Sequence, residues 1–141
     1  MKAIILVGSF FISSLTMAIS CHHSSMIAKK SQQMLQEYNN QVDNLNSVCG
    51  TYLGCSNIEE INSEFKAVYS NLNHITDALK DKAGDLYWLA ENCGGRDGQV
   101  AYDFYGAVAG AYNSYIQPDG VKDHIRDNCL LPIVRKLSSC K

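Results

Sequence analysis

With 141 residues, a formal net charge of −2 and 18% charged residues, the chain has the length of a single domain. Its basic residues form no patch or run, which argues against nucleic-acid partners, since those are recognised through clustered positive charge. No Asn-x-Ser/Thr sequence occurs, so N-glycosylation is not expected.

Residues 1–20 stand apart from the rest. Lys2 precedes an apolar run from Ala3 to Met17, and the small residues Ala18 and Ser20 lead into Cys21. A charged start, an apolar middle and a small-residue end predict a secretory signal peptide over 1–20. One secreted, extracellular domain over 21–141 follows from that reading. The apolar run falls short of the roughly 20 residues that a membrane helix needs, and no later segment approaches it. No membrane span is expected.

The helical period of three and four dominates, and no alternating run predicts a strand. A first helix is predicted from about Ser25 to Val48, with Ile27, Met34, Leu35, Tyr38, Val42 and Leu45 on one face. Cys49-Gly50 ends it. The clearest stripe follows: Ile58, Ile61, Phe65, Val68, Leu72, Ile75 and Leu79. Ser56 and Glu59 have the spacing of a capping box at its start. Lys80 to Gly84 is polar and contains a glycine, which predicts a break, with a short helix over about 85–92.

Asp97 is the predicted N-cap of a helix over about 98–117. Two adjacent stripes of that helix are apolar, which predicts burial on several sides and a central position. Pro118-Asp119-Gly120 marks a turn. A last helix over about 121–137 is expected to kink or restart at Pro132, which has no N–H to donate. The predicted fold is all-α, a small disulfide-stabilised bundle of four main helices plus one short helix.

Six cysteines, Cys21, Cys49, Cys55, Cys93, Cys129 and Cys140, behind a signal peptide read as three disulfides. Their spacing lacks the close pairs of a zinc site, so no metal or other cofactor is expected. Cys129 and Cys140 would lie about 16 Å apart on a continuous helix, too far to bridge. A hairpin of the last two helices brings Cys140 back toward Cys93, which predicts a Cys93–Cys140 bridge. Cys129 is then left to reach Cys21, Cys49 or Cys55.

No nucleophile elbow, phosphate loop or dinucleotide fingerprint occurs. His124 lies one turn from Asp127, a pair that could act as a general base. It resembles the helical His-Asp dyad of secreted phospholipase A2, but here the two residues are not neighbours and no adjacent Cys-Cys pair exists. An exposed surface histidine is the simpler reading, and no enzyme activity is expected. His22 and His23 carry a different chemistry. A mature chain starting at Cys21 would present an amine, two amides and a third-position imidazole, the donors of a square-planar copper site. A solvated N-terminus is the simpler reading there.

Aromatic rings concentrate at Tyr87, Trp88, Phe104, Tyr105, Tyr112 and Tyr115. They are the predicted contacts of a small apolar ligand, with plain core packing as the alternative. A signal peptide, six cysteines and an all-helical chain resemble the outline of the insect odorant- and pheromone-binding proteins. The spacing departs from that family's: five residues separate Cys49 from Cys55 and ten separate Cys129 from Cys140. The first expected function is therefore a secreted non-enzymatic carrier of small apolar ligands. The second is a secreted interaction, effector or signalling protein whose partner is another extracellular protein.

Overall fold

The computed structural model describes residues 19–141; the predicted signal peptide lies almost wholly outside them. The described residues are helical with no strands. After a single 3-10 turn, Cys21–His23, helix α1 spans Ser24–Cys49, α2 spans Ile58–Asn92 and α3 spans Gly95–Ile116. Two short helices follow, α4 (Val121–Ile125) and α5 (Leu131–Ser139), joined by a π-helical turn at Arg126–Leu130. The all-α class holds. The expected four main helices plus one short helix become three long helices in sequence, closed by a shorter, irregular C-terminal segment.

The difference arises at Lys80–Gly84, where no break occurs and α2 runs through. At 1.5 Å per residue its 35 residues make about 52 Å of helix. Its buried face repeats every seven residues: Ile58, Phe65, Leu72, Leu79 and Leu86 are all buried, with Ile61 and Leu89 each three residues beyond a member of the series. Lys82 stands where that stripe would put an apolar residue. Its stem stays half-covered while its ammonium reaches Asp85 Oδ2 at 2.7 Å, as long basic side chains do beside apolar surface. A glycine costs a helix only about 1 kcal/mol, less than burying Leu79, Leu86 and Leu89 returns.

The capping box is not formed. Asn57 is the N-cap, and its side chain braces the preceding loop instead. Its Oδ1 accepts from the Gly54 N–H at 2.8 Å and its Nδ2 donates to the Tyr52 carbonyl at 2.9 Å. Helix α3 likewise begins earlier than expected, at Gly95, with Asp97 in its first turn.

Helix α2 packs on both α1 and α3, which also touch each other. α1 and α3 run the same way: Ser24 Oγ donates to the Asp97 carbonyl at 2.6 Å at one end, and Tyr38 meets Tyr115 edge-on at 6.5 Å toward the other. Side-chain size changes along this axis. Ser24, Gly98 and Ala101 are buried at the first end, and Tyr38, Leu45 and Tyr115 at the second. Small residues let the backbones approach closely, and at Gly98 an added Cβ would collide with the Cys93 carbonyl. At the wider end the C-terminal segment supplies Ile125, Cys129 and Ile133 to the core.

The central helix is therefore α2, not α3. Helix α3 buries Gly98, Ala101, Val108 and Tyr115, while its second predicted stripe reaches the surface, with Tyr102 67% exposed and Ile116 49% exposed.

The bridges are Cys21–Cys93, Cys49–Cys129 and Cys55–Cys140, with Cα separations of 5.6, 5.0 and 5.4 Å. The predicted Cys93–Cys140 bridge is overturned. The C-terminal segment does not lie back along α3. It passes from α3 to α2, so its end meets the loop that enters α2. Pro132 acts as expected, at the first turn of α5, where its missing N–H costs nothing.

Two glycines test this packing. A Cβ added at Gly84 would meet open space, whereas one added at Gly98 would run into backbone. Gly84→Ala should stabilise the fold by about 0.5–1 kcal/mol, and Gly98→Ala should lower the denaturation midpoint. Denaturant titration of both variants checks this; a destabilised Gly84→Ala would contradict a continuous α2.

Candidate functional site

The six predicted ligand-binding aromatics are divided among several places rather than gathered in one. Tyr87 on α2 and Tyr105 on α3 meet across the helix pair, ring centroids 5.6 Å apart. Tyr87 is 53% exposed and Tyr105 half-buried. Trp88 sits about 100° further round α2 and is 41% exposed. Phe104 is displaced from Tyr105 by the same angle on α3 and packs half-buried against the core. Tyr112 and Tyr115 lie nearly two turns and more beyond, beside α2 residues Tyr69 and Asn73.

Around that last pair is a polar cluster of tyrosine, asparagine and threonine side chains. Tyr115, only 3% exposed, donates its hydroxyl to Asn73 Oδ1 at 2.5 Å. Thr76 hydrogen-bonds back to the Leu72 carbonyl. Tyr69 stacks on Phe65 at 5.4 Å. Burial raises the Tyr115 phenol well above its ordinary value, with Tyr69 and Tyr38 adding to the effect. Burial also raises Tyr38. A groove of about 380 Å³ opens here, lined by Tyr69, Asn73, Asp77, Tyr112, Ile116 and Lys122 among others.

The described surface carries further open grooves, among them two at the ends of α3. One, of about 450 Å³, lies among Val42, Asn46, Gln117, Val121 and His124. The other, about 360 Å³, lies at Ala90, Cys93, Gly98 and Tyr102. The core between the helices is filled by Leu45, Phe65, Leu72, Leu79, Leu86 and Leu89, all essentially inaccessible to solvent.

Tyr69, Asn73 and Thr76 escaped sequence reasoning because they flank the strong apolar stripe of α2. Their spacing of four and three places them on one face next to that stripe, which is the signal that would have found them.

His124 and Asp127 do not form a dyad. The His124 ring nitrogen Nδ1 pairs with Asn128 Nδ2 at 3.0 Å. Asp127 instead takes two hydrogen bonds from Arg126, at 2.7 and 3.0 Å, which hold its carboxyl below the usual range. Among the described residues no three His, Cys, Asp or Glu side chains converge on a metal-sized space. No described helix is long and apolar enough to cross a membrane. No protein-family model, no curated protein and no solved structure matches the chain.

The Tyr115 lock has a pH signature. Its phenol is raised above the ordinary value of 10.0, so the folded state holds its proton where the unfolded state gives it up. Stability linked to Tyr115 is full below about pH 10 and falls as pH rises beyond it. Tyr115→Phe should cost about 0.5–1.5 kcal/mol at neutral pH and flatten the loss above pH 10. Denaturant midpoints from pH 8 to 11 check both effects.

Proposed function

We infer that the chain is a secreted, non-enzymatic interaction protein that engages an extracellular protein partner through its helix surface. The observation that carries this reading is where the rings lie. The interior is filled mainly by aliphatic side chains, while Tyr87, Trp88 and Tyr102 are large apolar residues exposed at the surface. Aromatic side chains displayed on rigid helices supply much contact area for little conformational entropy, and they dominate the energetics of protein interfaces. Tyr87, Tyr102 and Tyr105 come from the antiparallel ends of α2 and α3 near the Cys21–Cys93 bridge, which fixes that end of the bundle. Three disulfides and the leader-like residues 1–20 support an oxidising, extracellular setting.

A carrier of small apolar ligands is the second reading, and the groove at Tyr69 and Tyr112 favours it. That groove is open and includes Asn73, Asp77 and Lys122, whereas apolar ligands are usually held in enclosed, largely apolar cavities.

The double variant Tyr87→Ser/Tyr102→Ser separates the readings. It should keep the stability of the parent to within about 1 kcal/mol, since both side chains are mostly exposed. It should lose the specific cross-link that the parent forms with surface or fluid proteins of its source tissue. Native mass spectrometry of the protein from its source should show the bare chain. A bound small molecule lost on Tyr112→Ala, with cross-linking unaffected by the double variant, would establish the carrier reading instead.

A further inference from the structure

We propose that the mature N-terminus, Cys21-His22-His23, is a binding site for Cu(II). The proposal rests on the secreted reading, because it requires removal of residues 1–20. It uses the chain's own backbone rather than a cluster of side chains.

In the full chain the His23 N–H donates to the Ser20 carbonyl at 2.9 Å. The N–H groups of the first turn have no acceptor inside the helix. Cleavage after Ser20 removes that carbonyl. It leaves the amides of both His22 and His23 without a helical partner, next to a newly formed α-amine at Cys21. Four nitrogens are then available in the order that closes three fused chelate rings: the Cys21 amine, the His22 amide, the His23 amide and the His23 imidazole Nδ1. Such a set suits the square-planar preference of Cu(II). On binding, the two amides give their protons to solvent, as does the amine where it is protonated. The metal keeps its oxidation state.

The surroundings suit this role. Both histidines are exposed, so the metal can approach and no core packing is disturbed. The Cys21 sulfur is committed to Cys93, so no thiolate competes or reduces the metal. On the other side, Ser24 is buried and holds the Asp97 carbonyl through its hydroxyl at 2.6 Å. The Cys21–His23 turn must uncoil for a planar chelate. Uncoiling gives up the hydrogen bond from the Ser24 N–H to the Cys21 carbonyl, among others, and the Ser24 side-chain anchor to Asp97 remains. The copper site is thus a short stub held at both ends. The His22 side chain points out of the chelate plane by its position in the chain and is not a ligand.

The test uses the protein secreted from a eukaryotic host, its first residue fixed by N-terminal sequencing, titrated with Cu(II) alone. One equivalent should produce the violet absorption and the four-nitrogen paramagnetic spectrum of a square-planar copper chelate. His23→Ala should abolish that spectrum, and His22→Ala should keep it; both positions are exposed, so both variants should fold. A form with two extra residues before Cys21, which puts Cys21 rather than a histidine at the third position, should also lose it. No such spectrum from a chain that starts at Cys21, or its survival in His23→Ala, overturns the proposal. A secreted chain that starts elsewhere overturns the copper site and leaves secretion standing. A chain that keeps residues 1–20 overturns the secreted reading itself.

Discussion

The structure depends on the uninterrupted burial of one face of α2. A helix of 35 residues has no means of holding itself in water over that length; its tertiary contacts do so. The seven-residue repeat of Ile58, Phe65, Leu72, Leu79 and Leu86 presents a straight seam to two neighbours, as in a coiled coil. α1 answers with its own repeat of Ser24, Ser31, Tyr38 and Leu45, and α3 with Ala101, Val108 and Tyr115. Because these two repeats run from small to large in the same direction, the bundle is close-packed at the Cys21–Cys93 end and needs additional mass at the other. The C-terminal segment supplies it.

The disulfides follow from that geometry. They join residues 72, 80 and 85 apart, and each ties one of the first three cysteines to one of the last three. Closing loops of this length in the unfolded chain removes about 4–5 kcal/mol of conformational freedom per bridge in the chain-entropy account, though overlapping loops do not add independently. Cys21–Cys93 pins the start of α1 to the end of α2. Cys49–Cys129 pins the end of α1 to the π-helical turn, and Cys55–Cys140 pins the start of α2 to the end of the chain. The C-terminal segment, the least regular part of the fold, is held by two of the three. Its π-helical turn lies where the helix must place Cys129 beside Cys49 and accommodate Pro132 within a few residues, and π-turns arise where a helix register is forced in this way.

Much of the fold was legible in the sequence, because the relevant signals are local. The α1 and α2 stripes, the turn at Pro118–Gly120 and the restart at Pro132 all lie in short windows. The errors have non-local causes. Lys82 interrupts an apolar stripe, and no local pattern shows that its stem can lie along a covered face while its charge reaches Asp85. Two apolar stripes on 98–117 resemble a central helix, yet Tyr102 and Ile116 find no neighbour to cover them. The Cys93–Cys140 expectation treated the last two helices as a hairpin of equal length. The taper of the bundle, written in Ser24, Gly98 and Ala101, turns the C-terminal segment across α2 instead.

The candidate site was legible only as a list of aromatic residues. Ring-rich composition does not distinguish a lining from a surface, since a tyrosine satisfies its hydroxyl equally well in either. The distinction is made by which side of the α2 seam each ring occupies. Tyr115 lies on the seam and is locked by Asn73, so its role is to fix the α2–α3 pair. Tyr87 and Tyr105 lie on its flank, where Tyr105 packs at the edge of the core and Tyr87 rests against it from outside. Their ring edges stay available because the aliphatic seam beneath them is already full. The same packing that denies these rings a place inside gives them a rigid platform outside, and a rigid aromatic surface loses little entropy when a partner covers it. On this argument the proposed binding face would be a consequence of how completely α2 is buried, and substitutions that loosen the seam would then blunt the proposed recognition without touching a surface ring.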